Sequence, residues 1–316
     1  MLTEKEYQCI GSIKNFDYDT VIAGSSVCEN YNNAWFDEKY EVTSIKAIRS
    51  YGSIADLSYF LNLSYEDHYL RYVFFNVDPI ALANEAKVSF EDTGCPMYLY
   101  DDDPLNDVQY LLNKDVLLEK IPFMILKSYV DEYDEGESYN WAQWKTFGTD
   151  VALSQYVRLN GAKEMHPENF YETDCEKNIA FLSDLVEAHS ETEFVFFFSP
   201  YSFLWWDNLT MYGETESYLY DMRMFMNKML EYDNVRICYF MNDESIVSNL
   251  DNYMDVLHFT PEINRFICDN LDNEEYRVTK ENVDEIFEKT RRYAYEQTPI
   301  LIERYKDRIN TEGSLD

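Results

Sequence analysis

Residues 17–31 read DYDTVIAGSSVCENY, and their reading decides the fold class. Thr20–Ala23 (TVIA) is a short, continuous apolar run of the kind found where a parallel strand is covered on both faces. Gly24, Ser25 and Ser26 follow, and then a helix-like stretch, which is the strand–turn–helix punctuation of an α/β unit. Glycine permits the tight turn. The helix start beyond it offers unpaired N–H groups and the positive end of a dipole. A serine at that point can present its hydroxyl to an acyl group while its own N–H holds the oxyanion. Serine also caps helices routinely, so the turn alone leaves both readings open. The segment is not a G-x-S-x-G elbow, because Cys28 stands where the second glycine would be. Cys28 itself is either a nucleophile or a packed thiol.

Working outward, four more runs read as strands: Ser44–Ile48 (SIKAI), Tyr72–Val77 (YVFFNV), Phe194–Phe198 (FVFFF) and Val235–Phe240 (VRICYF). Gly52 and Ser53 precede a helical pattern over Ile54–Leu63, and Glu214–Leu230 reads as the crossover helix between the last two strands. This alternation predicts one three-layer α/β/α domain over 1–316, with a five-stranded parallel sheet and right-handed crossovers. The stretch 79–193 breaks the rhythm and reads as a mostly helical insertion between the third and fourth strands, with an amphipathic segment at Asp107–Leu118. A C-terminal helix is expected within 279–305, capped by Thr279, with Asn282 where a capping box would carry Glu.

Composition narrows the function classes. Hydrophobic residues make up 46% and charged residues 27%, which predicts a folded chain. The formal charge is −34, with 26 Lys and Arg against 60 acids, and this argues against nucleic-acid binding, which needs clustered cations. The opening MLTEKEYQCIGSIKNF lacks the apolar core of a signal peptide, and Phe194–Trp206 is too short to span a membrane, so a soluble chain without membrane contact is expected. The cysteines at 9, 28, 95, 175, 238 and 268 have no zinc-like spacing. The acidic runs at 101–103 and 131–137 lack the pattern of a calcium loop and read as solvated faces. No metal and no cofactor are expected.

The second informative stretch is NYMDVLHFT, 252–260. A serine hydroxyl is a weak nucleophile until a base takes its proton, and histidine is the usual base at neutral pH. The second ring nitrogen then needs an acceptor that fixes the tautomer. Asp255 and His258 can lie on one face of a turn and supply both. The other histidines lack such a setting: His68 precedes the third strand, His166 lies in the insertion, and His189 ends a helix before the fourth. In an open parallel sheet, functional groups gather beyond the carboxyl ends of the strands. Ser26, Gly52, Asn76 with Asp78, and the Asp255/His258 pair all fall on that edge.

On these residues the chain resembles the SGNH (GDSL-type) hydrolase superfamily, with Gly24-Ser25-Ser26 similar to the Gly-Asp-Ser block, Gly52 to the second block and Asp255-x-x-His258 to the last. The third block, Gly-x-Asn-Asp in the family, departs from the pattern: Phe75-Asn76-Val77-Asp78 displaces the Asn. DYDTVIAGSSVCENY and NLDNYMDVLHFTPEIN look like the bacterial branch that adds or removes acyl groups on cell-surface polymers. The resemblance implies a flavodoxin-like sheet and an acyl intermediate on Ser26. His258 would be the base, oriented by Asp255, with an oxyanion hole from Ser26, Gly52 and Asn76. It implies an acylated carbohydrate or surface polymer as substrate, and a membrane acyl-transfer protein as partner. An extracytoplasmic, anchored protein follows if an anchor precedes Met1, and a cytoplasmic one otherwise. Tyr201, Trp205 and Trp206, after the fourth strand, read either as a sugar-stacking platform or as a core wall. Two rival readings are a catalytically decayed glycan-binding module on the same fold and a phosphate binder at the Gly24–Ser26 turn. The second lacks a Lys or Arg after that turn.

Overall fold

Each of the five apolar runs forms a strand in the computed structural model, which describes residues 5–90, 95–101, 103, 105–130 and 135–312. The strands are β1 (Thr20–Gly24), β2 (Ser44–Ile48), β3 (Tyr72–Asn76), β4 (Val157–Arg158), β5 (Glu193–Phe198), β6 (Val235–Tyr239), β7 (Arg277–Val278) and β8 (Asn310–Thr311). The main sheet has the order β2-β1-β3-β5-β6-β7; its first five strands are parallel, and β7 pairs antiparallel with β6. The expected five-stranded parallel layout is therefore corrected to a six-stranded mixed sheet. A two-residue edge strand is too short to leave a periodic signal. β4 and β8 form a separate parallel pair.

Burial on both faces explains the continuous apolar runs, and every residue of β1 and β2 is buried. Phe74 and Phe75 point to opposite faces, as neighbours on a strand must. Phe36, from the helix Asn33–Tyr40, packs on Phe74 at 4.9 Å, whereas Phe225, from the helix Thr215–Met229, meets Phe196 edge-on at 5.3 Å beside Phe75. Helices thus cover both sides of the sheet. The helix after Gly52 runs from Ile54 to Asp67, with Ser53 and Asp56 forming a capping box.

The insertion is less helical than expected. Short helices at Pro79–Ala83, Ile121–Val130 and Thr149–Gln155 are separated by loops and by β4, and Glu172–Ala188 is its long helix. Its acidic runs fall partly at residues 102 and 131–134, outside the described residues. The insertion is tied to the sheet by Lys46 of β2, a buried lysine whose Nζ donates to the carbonyls of Glu29, Tyr31, Gly136 and Ser138. At the C-terminal end, the helix Val283–Arg292 begins four residues after Thr279, whose Oγ1 accepts the Glu281 N–H while Asn282 accepts the Thr279 N–H. These bonds lie ahead of the helix, whose cap residue is Asn282 and not the expected Thr279, and which has no side-chain cap bond. Among the described residues, no helix is long and apolar enough to cross a membrane.

One buried acid makes stability pH-dependent. Asp221, in the helix Thr215–Met229, is fully buried and neither carboxylate oxygen has a hydrogen-bond partner among the described residues. Burial pushes its pKa up to about 7. The folded state therefore holds a proton that the unfolded chain, with a carboxyl pKa near ~3.9, has already released. The stability this adds is fully present below about pH 4 and is lost as pH rises towards 7. Asp221→Asn is expected to remove that loss, raising stability at pH 8 by on the order of 2 kcal/mol, a few degrees in Tm, with little change at pH 4. Thermal melts of both proteins at the two pH values check it, and equal Tm differences at both would refute the assignment.

Candidate active site

Strand β1 ends at Gly24 because nothing larger fits: a Cβ there would stand 2.4 Å from Cys28 Sγ. The chain then makes a single 3-10 turn, Ser26–Cys28. Ser25 occupies the cap position but makes no side-chain cap bond; its hydroxyl donates instead to Asp78 Oδ2 at 3.3 Å. The capping reading of the two serines is not realised. Cys28 is fully buried with its thiol on the Ala23 carbonyl, and burial pushes that thiol well above its ordinary pKa, so it is a packed residue.

Ser26 Oγ lies 2.8 Å from His258 Nε2, and His258 Nδ1 lies 2.7 Å from Asp255 Oδ2. With the Nδ1 hydrogen directed at the carboxylate, Nε2 is the ring's acceptor for the serine hydroxyl. The local sequence builds this arrangement: Asp255 Oδ1 accepts the N–H groups of Leu257 and His258, closing the turn that sets the two side chains together. Ser202 pins the same loop by donating its N–H and its hydroxyl to the Val256 carbonyl. Burial works against the charge of Asp255. The hydrogen bond and charge of His258, with the two N–H groups, outweigh it and hold the carboxyl below its ordinary pKa. The side chains of Asp255 and His258 remain 23% and 19% exposed, so the group is reachable from solvent.

Trp141 is the residue that sequence reasoning missed. Its Nε1–H donates to the Ser26 carbonyl at 3.1 Å, and its ring stands perpendicular to the His258 imidazole with centroids 5.2 Å apart. The insertion therefore forms one wall of the site. The Ala142 N–H, given to Asn30 Oδ1, fixes the segment against the turn after β1. The one hint in the sequence is the aromatic and amide cluster SYNWAQW, 138–144, beside an acidic stretch.

The other expected site residues are placed differently. The Gly52 N–H donates to the Arg49 carbonyl at 3.0 Å, and the Asn76 amide donates to Phe197 O at 3.2 Å and Ser199 Oγ at 2.8 Å. Neither donor is directed at an oxyanion. Asn76 is buried and spans β3 and β5 as a sheet-edge tie, which corrects its expected role. The Ser26 N–H has no acceptor among the described residues. Tyr201, Trp205 and Trp206 are 1%, 2% and 0% exposed and pack on one another, so they are a core wall and not a platform. Position after a strand had suggested access, but Trp205 and Trp206 face inward on the helix Phe203–Tyr212, and Tyr201, just before it, packs on Trp205. No group of three or more metal-ligating side chains occurs among the described residues. No family model matches this sequence, and comparison with curated proteins yields no match.

Proposed function

We propose that this chain is a serine acyl hydrolase or acyltransferase of the SGNH type, acting on ester groups, above all O-acetyl, of a carbohydrate or cell-surface polymer. The observation that carries the reading is the continuous hydrogen-bonded line Ser26–His258–Asp255, drawn from segments 232 residues apart. A packing accident has no reason to place hydroxyl, imidazole and carboxylate in that order at 2.8 and 2.7 Å. The β2-β1-β3-β5-β6 order of the parallel strands is compatible with the flavodoxin-like arrangement of that superfamily.

In the reaction, Ser26 Oγ bonds to the ester carbonyl carbon as its proton passes to His258 Nε2. Asp255 stabilises the resulting imidazolium. Collapse of the tetrahedral intermediate breaks the bond to the leaving alcohol, which takes the proton from Nε2. Water or a sugar hydroxyl then gives its proton to Nε2 and bonds to the acyl carbon; collapse of this second intermediate breaks the bond to Ser26 Oγ, which takes the proton back from Nε2, and releases the acid or a new ester. The Ser26 N–H is the oxyanion donor at hand. The Gly52 N–H is bound to the Arg49 carbonyl and does not join it in this arrangement. A membrane acyl-transfer protein would be the donor partner if the transferase reaction is the native one, and such a role suits an extracytoplasmic site.

A fluorophosphonate probe is expected to label wild type on Ser26 stoichiometrically and to leave Ser26→Ala unlabelled, as read by intact-mass spectrometry and peptide mapping. Absence of labelling in folded wild type would leave the decayed binding module as the better account.

A further inference from the structure

We propose that the cleft next to Trp141 holds the sugar part of the ester, and that this sugar is uncharged. The proposal rests on the acyl-transfer reading above. The cleft, about 630 Å³, lies between residues 146–151, the turn into and the start of the helix Thr149–Gln155, and the end of the helix Thr298–Tyr305. It adjoins the reacting groups through two ring contacts: Trp141 stands 5.2 Å from His258 on one side and stacks on Phe147 at 6.3 Å on the other. Phe147 lines the cleft. The Gly148 N–H, given to the Tyr253 carbonyl at 2.8 Å, joins the cleft to the loop that carries Asp255 and His258.

The lining has the chemistry for such a ligand. Phe147 supplies an aromatic ring for the apolar C–H face of a pyranose, and Asp251 and Arg308 supply hydrogen-bonding groups for its hydroxyls. Tyr305, whose ring packs on Phe203 at 6.0 Å and under the Arg308 guanidinium at 5.6 Å, closes one end of the wall. Thr149 donates its N–H and hydroxyl to Asp251 Oδ1 at 3.2 and 2.7 Å, which fixes the carboxylate and leaves Oδ2 without a partner among the described residues. Gly148 has a φ of +135°, and a Cβ built on it would meet nothing within 4 Å. Crowding does not require this glycine. The wall is simply bare there, in a conformation side chains rarely adopt.

Charge selects the class. Arg308 pairs with Asp150, and Asp251 adds a further carboxylate, on a chain whose formal charge is −34. A polyanionic polymer is repelled from such a surface, whereas a neutral, hydroxyl-rich one is not. The buried Tyr201, Trp205 and Trp206 offer no competing platform.

The test uses O-acetylated xylo-, manno- and chito-oligosaccharides as neutral probes and an O-acetylated oligogalacturonate as the anionic one. Calorimetric titration of Ser26→Ala avoids turnover. At least one neutral probe should bind saturably, with the anionic probe weaker by about tenfold or more. Tyr305→Ala and Arg308→Ala should each weaken the neutral probe by about tenfold. The ratio of kcat/KM on acetylated oligosaccharide to kcat/KM on 4-nitrophenyl acetate should fall with it in the same variants on the Ser26 background. Arg308 is a surface residue, so its variant reports even if Tyr305→Ala fails to fold. No neutral binding, neutral binding that the variants do not change, or tighter anionic binding overturns the proposal. Neutral binding in a protein whose Ser26 neither labels nor turns over any ester would keep the cleft and remove the acyl-transfer reading.

Discussion

Ser26→Ala is expected to lower kcat for 4-nitrophenyl acetate by about a million-fold, and Asp255→Asn by about ten-thousand-fold, both with KM little changed. The first removes the only atom that bonds to the acyl carbon. The second leaves shape intact but replaces an acceptor with an amide, so His258 Nδ1 loses the carboxylate that now sits 2.7 Å away. Adding His258→Ala to Ser26→Ala should cost little more, because the two groups act as one unit. Steady-state rates and circular dichroism on the purified variants measure this. Retention of more than about a tenth of wild-type kcat in folded Ser26→Ala would end the covalent mechanism proposed here.

The largest stability effect is expected away from the reacting atoms. Asp56 is fully buried, and its carboxylate accepts from Arg49 Nε at 3.0 Å, the Ser53 N–H at 3.1 Å, and the N–H and hydroxyl of Ser89 at 2.7 and 2.6 Å. The Arg49 side chain is only 4% exposed and lies over the Phe90 ring. Asp56→Ala takes the buried carboxylate from that guanidinium, leaving it the weaker contacts to Ser89, and removes half of the capping box, for a loss of about 3–5 kcal/mol. Urea denaturation of wild type and variant gives the value. Asp56→Asn, which keeps an acceptor, should lose clearly less; equal losses would mean that packing rather than pairing holds the site.

What the sequence made legible follows from how local each signal is. Strands β1, β2, β3, β5 and β6 are read correctly because burial on both faces leaves unbroken apolar runs. Ser26, Asp255 and His258 are legible because a turn after a strand and an i, i+3 pair are short-range patterns. Strand β7 has two residues, and nothing in so short a piece distinguishes it from a loop. Trp141 touches Ser26 across 115 residues, a pairing that only the folded chain reveals. The Trp205–Trp206 pair and the Asn76 amide show the converse. Residue type and strand-end position placed them on the right edge, but which way a side chain points is decided by packing, and there the core took both.

The distance along the chain between Ser26 and His258 has a consequence for how the protein is made. β1 is made before β6, and the proposed base of its serine lies beyond β6, 232 residues later. On the proposed mechanism a nascent chain carries an inert hydroxyl until the segment beyond β6 is made, and no proteolytic fragment ending before residue 255 holds both partners. Under the proposed mechanism ester turnover waits for the segment beyond β6, which still precedes β7, β8 and the C-terminal helices in the chain.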